Sequence, residues 1–414
     1  MRRSLTVIAV GAVVTVACAP AGSDNGATRS PASEQAVSQP DVAVPSSAGA
    51  REPIRTESIG CEDGEFHWDQ EDCQPATSVD LDAILSGGPP PDGIPPIDEP
   101  VYEPIEDAAQ WLEDTSPVMV IDIDADVRAY PLAILTWHEI VNDVVGGVPV
   151  VVTYCPLCNS ALVFDRTIEG PDGEELLDFG TSGRLFNSNL VMFDRQHRNL
   201  WTQFEGEAIV GDRFLGDRLR RIPAWLFGFD ELAELHPDAQ VLSRETGRSR
   251  DYGLNPYTGY DRAERDPFLF DGELDERFPP MTRLVGLGDR EPVAILLDQL
   301  VEERTVHTEV DGRGAVVVWA PGQASALDTA SIDAGREVGQ TAAFIAEADG
   351  RPVELAASET DGRFVDEVSG SSFDLRGRAL DGPLEGQRLE PIVHDDTFWF
   401  VWLAFRPDTA VVRG

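Results

Sequence analysis

Cys155-Pro156-Leu157-Cys158 sets two sulfurs two residues apart. Such a pair can grip one soft metal ion or close into a redox disulfide. It follows Val148 to Tyr154, an apolar run rich in β-branched residues, so the sulfurs sit where a buried strand ends. Trp137-His138-Glu139 lies upstream, with His138 17 residues before Cys155. A helix–turn–strand path from His138 would return the chain toward the cysteines, and Asp143 or Glu139 could orient the imidazole from behind. Three chemistries stay open on these residues. Cys155, Cys158 and His138 form a soft ligand set that suits copper or zinc. Alternatively, one cysteine is a nucleophile kept as thiolate by His138, with Asp143 in support, which makes a thiol-based redox enzyme. In the third reading the cysteines are a structural disulfide or two small buried thiols, His138 is satisfied by hydrogen bonds, and the chain is a binding or structural module.

A second polar group follows. Asn187, Asn189, Asp194, Arg195, Trp201 and Gln203 could line a pocket for a small ligand near the tight Thr181-Ser182-Gly183 loop. Turn chemistry and a buried Asp194–Arg195 pair would use the same residues structurally. Tyr252, Tyr257 and Tyr260 come next, either as a cap on that pocket or as packing between domains.

These residues are carried by a repeating scaffold. Residues 129–162 align with 294–327 without a gap, and 12 of the 34 positions are identical. The match resumes where Gly206, Ala208 and Gly211 pair with Gly377, Ala379 and Gly382, and where His236-Pro237-Asp238 parallels Arg406-Pro407-Asp408. The shared residues are largely apolar or glycine, the types that a fold needs for packing and turns. Copy one alone has the cysteines and the Trp137-His138-Glu139 and Asn142-Asp143 motifs. Copy two shows Ala320-Pro321-Gly322-Gln323, Glu302-Glu303-Arg304 and His307-Thr308 there. Chemistry is therefore expected in the first repeat and support in the second. The spacing predicts a strand over Val118 to Ile123, a helix over Leu132 to Val141, a strand over Val148 to Tyr154 and a helix over Ala224 to Leu235. Strands in runs with few helices give an α+β fold, a strand-rich tandem duplication of one unit.

The N-terminus reads as an export signal. Arg2 and Arg3 precede an uncharged run from Leu5 to Ala17, which ends in Val14-Thr15-Val16-Ala17-Cys18. That run is too short for a membrane span of about 20 residues and fits a signal peptide with a lipobox at Cys18, the alternative being simple cleavage near Ala17 or Ala19. Residues 1–18 are thus signal and lipobox, and 19–60 a disordered tether rich in Ala, Ser, Gly and Pro. Residues 61–111 are an acidic disulfide loop and lead-in, with Cys61 bonded to Cys73. Repeat one spans 112–262, a linker 263–283, and repeat two 284–414. The expected location is the outer face of the cytoplasmic membrane or the cell envelope, with the membrane touched only through the lipid. The 414 residues carry 32 basic against 74 acidic side chains, a net charge of −42, and no lysine. Nothing offsets phosphate repulsion, so a nucleic-acid partner is excluded. The remaining partner is a metal or small ligand.

Several segments together resemble a bacterial family of unknown function, DUF3179, over about residues 85–414. They are Gly87-Gly88-Pro89-Pro90-Pro91-Asp92-Gly93-Ile94-Pro95, Ala129-Tyr130-Pro131, Trp137-His138-Glu139-Ile140-Val141-Asn142-Asp143 and Val152-Thr153-Tyr154-Cys155-Pro156-Leu157-Cys158. Ser182-Gly183, Asp194-Arg195, Trp201-Thr202-Gln203 and Ser325-Ala326-Leu327-Asp328 look alike too. The resemblance implies that the Cys and His motifs of copy one belong to the family pattern. It implies no activity.

Overall fold

The computed structural model describes residues 51–61, 73–171, 173–358 and 362–413. Cys18, the 1–18 leader, the tether up to residue 50 and the interior of the Cys61–Cys73 loop lie outside the described residues. The Cys61–Cys73 disulfide is present. The last ten residues assigned to the tether are docked. Arg51 pairs with Glu205 and Glu207, and Arg55 and Ile59 bridge to Thr77 and Gln74. Composition hides this docking, because it rests on a few arginine and Ser58 side-chain bonds and on backbone pairing.

The first half begins with β1 (Pro117–Ile123) and β2 (Asp126–Pro131), an antiparallel hairpin. Alternate side chains of β1 enter different cores: Val118 and Val120 one, Met119 and Ile121 the other. A strand buried on both faces reads as a continuous apolar run for that reason. Pro131 then opens α1 (Leu132–His138); it lacks the N–H that a helix start would leave unpaired. The helix ends at Glu139, which is left-handed at φ 60° and donates its N–H to Leu135. The expected helix to Val141 is therefore three residues too long. The β-branched residues after Glu139 form β3 (Ile140–Val145) instead, paired with β4 (Val148–Cys155) through the Gly146-Gly147 turn. β5 (Ser160–Asp165) completes this sheet across a four-residue turn. β6 (Phe179–Phe186), β7 (Asn189–Asp194) and β8 (Leu200–Thr202) form the centre of the next sheet. β9 (Trp225–Gly228) returns to pair with β1, followed by α2 (Phe229–Leu235) and β10 (Gln240–Leu242), which lies parallel to β2. The expected helix from Ala224 starts only at Phe229, because Trp225 to Gly228 are held in register with Pro117 to Val120.

The second half repeats this order. β11 (Arg283–Leu287) and β12 (Val293–Leu296) pair and lead into α3 (Leu297–Glu303), which ends at a left-handed Arg304, φ 66°. β13 (Thr305–Val310), β14 (Arg313–Ala320) and β15 (Gln340–Ile345) form the three-stranded sheet. β16 (Leu355–Ala357), β17 (Arg363–Asp366) and β18 (Ser372–Asp374) form the next. β19 (His394–Phe398) pairs with β11, and α4 (Trp399–Phe405) leads to β20 (Ala410–Val411), parallel to β12. The chain is strand-rich with few helices.

One sequence correspondence fails in three dimensions. Cys155 faces Ser160 across β4 and β5, while Ala320 faces Gln340 across β14 and β15. The partner of Ser160 is thus Gln340, and Ser325-Ala326-Leu327 lies in a longer excursion between β14 and β15. The identity of Ser160-Ala161-Leu162 with that tripeptide misleads the ungapped alignment.

The halves share their cores reciprocally, within one compact unit. One cluster joins first-half residues Val151, Phe164, Met192 and Trp201 to second-half Leu284, Phe398 and Trp402. Another joins first-half Val118, Phe227 and Leu232 to second-half Val318, Phe344 and Phe373. Each half's two-helix sheet thus packs on the other half's pair of antiparallel sheets.

Candidate functional site

Cys155 ends β4, and Cys158 lies in the turn before β5. Both thiols are free and buried, and Cys155 Sγ donates to Cys158 Sγ at 3.2 Å. The turn is closed by Cys158 N–H donating to Cys155 O at 3.1 Å. Pro156 has no N–H to spend in this turn, and its fixed φ keeps the two sulfurs on one side.

Cys158 Sγ also accepts from Asn189 Nδ2 (3.3 Å) and reaches Ser188 O (3.6 Å). Asn189 is pinned at both ends of its amide. Its Nδ2 donates to Gln203 Oε1 (2.8 Å) and its Oδ1 accepts from Phe204 N–H (3.0 Å). Gln203 in turn donates to Thr153 Oγ1 (2.9 Å) and Ser160 O (3.2 Å). Two residues of the expected ligand pocket thus serve the thiols from behind. Burial raises the Cys158 thiol well above its ordinary range, the bond and charge of Cys155 add to this, and the Asn189 bond opposes it.

Glu139 completes the group. It is buried, and its carboxyl meets no cation or hydrogen-bond donor among the described residues. Burial alone pushes it up to about 8, and its charge raises Cys158 further. Its left-handed backbone is scaffold, since Arg304 does the same after α3. In both halves that residue's carbonyl accepts from the strand behind: Tyr154 N–H at 2.8 Å in one, Trp319 N–H at 2.8 Å in the other. Where the second half stacks Arg304 on Trp319, 4.9 Å from the ring centre, the first half has a buried carboxyl whose charge is felt at Cys158. Tyr257 and Tyr260, after β10, cover this group. Burial raises Tyr257 well above its usual range, with Glu139 and Cys155 adding to it, and burial pushes Tyr260 up to about 12. Both pack on the core cluster that holds the cysteines.

His138 is not part of the group's bonding. Its Nδ1 meets Pro95 O at 2.6 Å and its Nε2 meets Tyr252 OH at 2.7 Å. Both ring nitrogens are occupied, and burial lowers the imidazole's affinity for protons. Neither Asp143 nor Glu139 orients the ring; Pro95 and Tyr252 do. Among the described residues, no three His, Cys, Asp or Glu side chains gather as a metal-holding set. The Cys155–Cys158–His138 ligand set is therefore not assembled, because the imidazole is committed to the 87–98 segment and to Tyr252. Asp143 lies elsewhere: it accepts from Tyr130 OH at 2.5 Å and from Tyr102 OH.

The rest of the expected pocket also disperses. Asp194 accepts from His197 N–H, Asn199 N–H and Trp201 Nε1 (2.6, 3.1 and 2.9 Å), and so braces its own loop. Arg195 points away to Asp92 and Asp98, so no Asp194–Arg195 pair forms. Asn187 is a left-handed turn residue between β6 and β7. The Ser182-Gly183 motif is explained by packing. Gly183, at φ 70°, sits where any Cβ would lie 1.8 Å from Pro89 O, so the Pro-rich segment can lie flat on β6.

Glu139 is the residue that sequence reasoning undervalued. The signal was available: it aligns with Arg304, an opposite charge at a scaffold position.

The family model described as "Protein of unknown function (DUF3179)" matches residues 91–409. No curated protein and no solved structure matches the chain.

Proposed function

The chain belongs to the DUF3179 family, and on that premise we propose that it carries a buried thiol–disulfide couple, Cys155 and Cys158, with Glu139 as its proton carrier. One observation carries this reading: two free thiols 3.2 Å apart, with an unpartnered buried carboxyl, pushed up to about 8, whose charge is felt at Cys158. Thiol chemistry needs a thiolate, and burial opposes one, so a nearby base must take the proton. A carboxyl pushed up to about 8 is ionised, and able to take that proton, above this pH. Cys155 thiolate attacks one sulfur of a small disulfide and expels the first small thiolate. Cys158, its proton taken by Glu139, then attacks the Cys155 sulfur and expels the second. The net change is one small disulfide reduced to two thiols and one protein disulfide formed. Cys155 is 2% exposed, so small reagents suit the site better than protein thiols.

The test is equilibration of the mature chain in glutathione redox buffers, followed by acid trapping and mass analysis. Paired loss of both thiols at one reproducible potential, abolished in Cys155→Ser and Cys158→Ser, is expected. Thiols that stay free across the whole range would overturn the reading.

Two further parts belong to the proposal. The chain is exported and lipid-anchored through Cys18, supported by the basic, apolar and small-residue order before it. No helix among the described residues is long and apolar enough to cross a membrane. Detergent-phase partitioning of the wild type, lost in Cys18→Ala, tests the anchor; equal recovery in the aqueous phase rejects it. The halves also descend from one duplicated unit. The matching strand order, the left-handed ends of α1 and α3, and the stacking of Gly206 on Phe164 and Gly377 on Phe344 support this.

A further inference from the structure

Cys155 is 2% exposed and Cys158 is fully buried, so a reagent meets the sulfurs only after part of their wall moves. Most of that wall is sheet. Thr153 lies in β4, Ser160 opens β5, Asn189 opens β7 and Gln203 follows β8. Thr397 of β19 donates to Cys158 O at 2.9 Å. Each of these strands is fixed by pairing with its neighbours.

The linker between the halves is built differently. Residues 264–280 contain no helix and no strand, and none of them is buried. The ends of this loop meet, since Met281 N–H donates to Ala263 O at 3.2 Å. A surface loop with a closed neck and no buried residue can open without unfolding its surroundings. Phe270 packs on Phe400 and Phe278 on Trp399, with ring centres 5.3 and 5.0 Å apart. Both phenylalanines rest on the core cluster that holds the cysteines.

Between 266 and 274, polar bonds reach this loop at Phe268 alone among the described residues. Phe268 N–H donates to Tyr260 OH at 3.0 Å, and Phe268 O accepts from Ser188 Oγ at 2.5 Å. Ser188 is also the residue whose carbonyl meets Cys158 Sγ. Burial chiefly raises Tyr260, and the charges of Cys158 and Cys155 add to it, so its ring stands near the sulfurs. The backbone of one loop residue is thus clipped to the two residues that border the thiols. Asn187-Ser188 is the two-residue turn between β6 and β7, left-handed at φ 52° and 61°. Such a turn favours glycine at its second place. A serine there supplies the hydroxyl that holds Phe268. Beside the clip, Leu269 is left-handed at φ 49°, which is costly for a residue with a side chain. The Phe268 ring is 48% exposed, so the two bonds, more than packing, keep this part of the loop down.

We propose that residues 264–280 are a lid on the thiols, latched where Ser188 and Tyr260 clip Phe268, and that its opening admits the small disulfide. The purpose of the lid rests on the proposed thiol couple; the latch itself does not.

The reduced mature chain is labelled with iodoacetamide at one fixed pH, and modification of Cys155 and Cys158 is followed by mass analysis. Tyr260→Phe keeps the ring and removes the acceptor of Phe268 N–H. Ser188→Gly suits the left-handed backbone and removes the donor to Phe268 O. Each should speed labelling about fivefold, the worth of one ordinary hydrogen bond. Low concentrations of urea should hardly change the wild-type rate, because opening a loop exposes little surface, whereas labelling through global unfolding rises steeply. Unchanged rates in the folded variants, or a wild-type rate that climbs with urea as steeply as global unfolding, would each overturn the lid. The urea series needs no variant and decides the matter if neither variant folds. Labelling also needs no disulfide, so thiols that label through the latch but never pair in redox buffers would remove the couple and leave the lid standing.

Discussion

Glu139, at the left-handed end of α1, keeps a buried carboxyl without a hydrogen-bond or charge partner among the described residues, and its charge makes the Cys158 thiol still harder to ionise. The two groups cannot both be charged cheaply. Near neutral pH burial favours the protonated form of both groups, and ionising one makes ionising the other costlier.

The carboxyl leaves a signature in stability. Its value rises from 4.5 to about 8 on folding, so the folded chain binds more protons than the unfolded chain between these limits. The Glu139 contribution to stability must then fall as pH rises from about 4.5 to 8, and stay at its lowered level above that. Glu139→Gln should flatten this slope. At pH 9 the variant should be more stable than the wild type by a few kcal/mol. Urea unfolding at pH 5 and pH 9 checks it; equal slopes in both proteins would refute the buried acid.

Asn189 tests the thiol from the other side. Its bond to Cys158 lowers the thiol's pKa against the larger effect of burial. Asn189→Leu keeps the volume and removes the donor. In a Cys155→Ser background, alkylation of Cys158 by iodoacetamide should slow at every pH below the thiol's own. Gln203 and Phe204 N–H also lose their partner, so a stability loss of about 1–3 kcal/mol should accompany it. Faster alkylation in a protein of unchanged stability would contradict the bond.

Helix positions in the two halves should respond alike where burial is alike. Leu135 and Leu300 are both fully buried, so Leu135→Ala and Leu300→Ala should each cost about 2–5 kcal/mol. Leu132 is buried too, but Leu297 is only partly so, and its truncation should cost clearly less. Denaturant midpoints of the four variants decide the ranking.

The seam between halves has its own probe. A Cβ on Gly228 would lie 2.0 Å from Gly322 O, whereas one on Gly314 would meet nothing within 4 Å. Gly228→Ala should destabilise by about 1–3 kcal/mol, and Gly314→Ala should be neutral or slightly stabilising. Comparable melting temperatures for the two variants would mean that β9 does not approach the second half so closely.

Strands were legible in the sequence where one residue type ran unbroken. Val118 to Ile123 and Val148 to Tyr154 show plainly, because both faces of each strand are buried. The end of α1 was not legible, since a left-handed glutamate leaves no glycine to announce it. The thiol pair was visible from its spacing, but its neighbours were chosen by chain proximity. His138 is near Cys155 in sequence yet bonded to Pro95 and Tyr252, contacts set by packing of segments 43 and 114 residues away.

The reciprocal core has a consequence for biosynthesis. When a nascent chain has reached only β10, the faces that carry Val118, Phe227 and Leu232 have no partner, since their counterparts Val318, Phe344 and Phe373 are still to be made. Trp201 and Phe204 likewise wait for Phe398 and Trp402. Contacts this distant along the chain form slowly and leave apolar surface open meanwhile. The first half alone therefore leaves these apolar faces uncovered until the second half has been made.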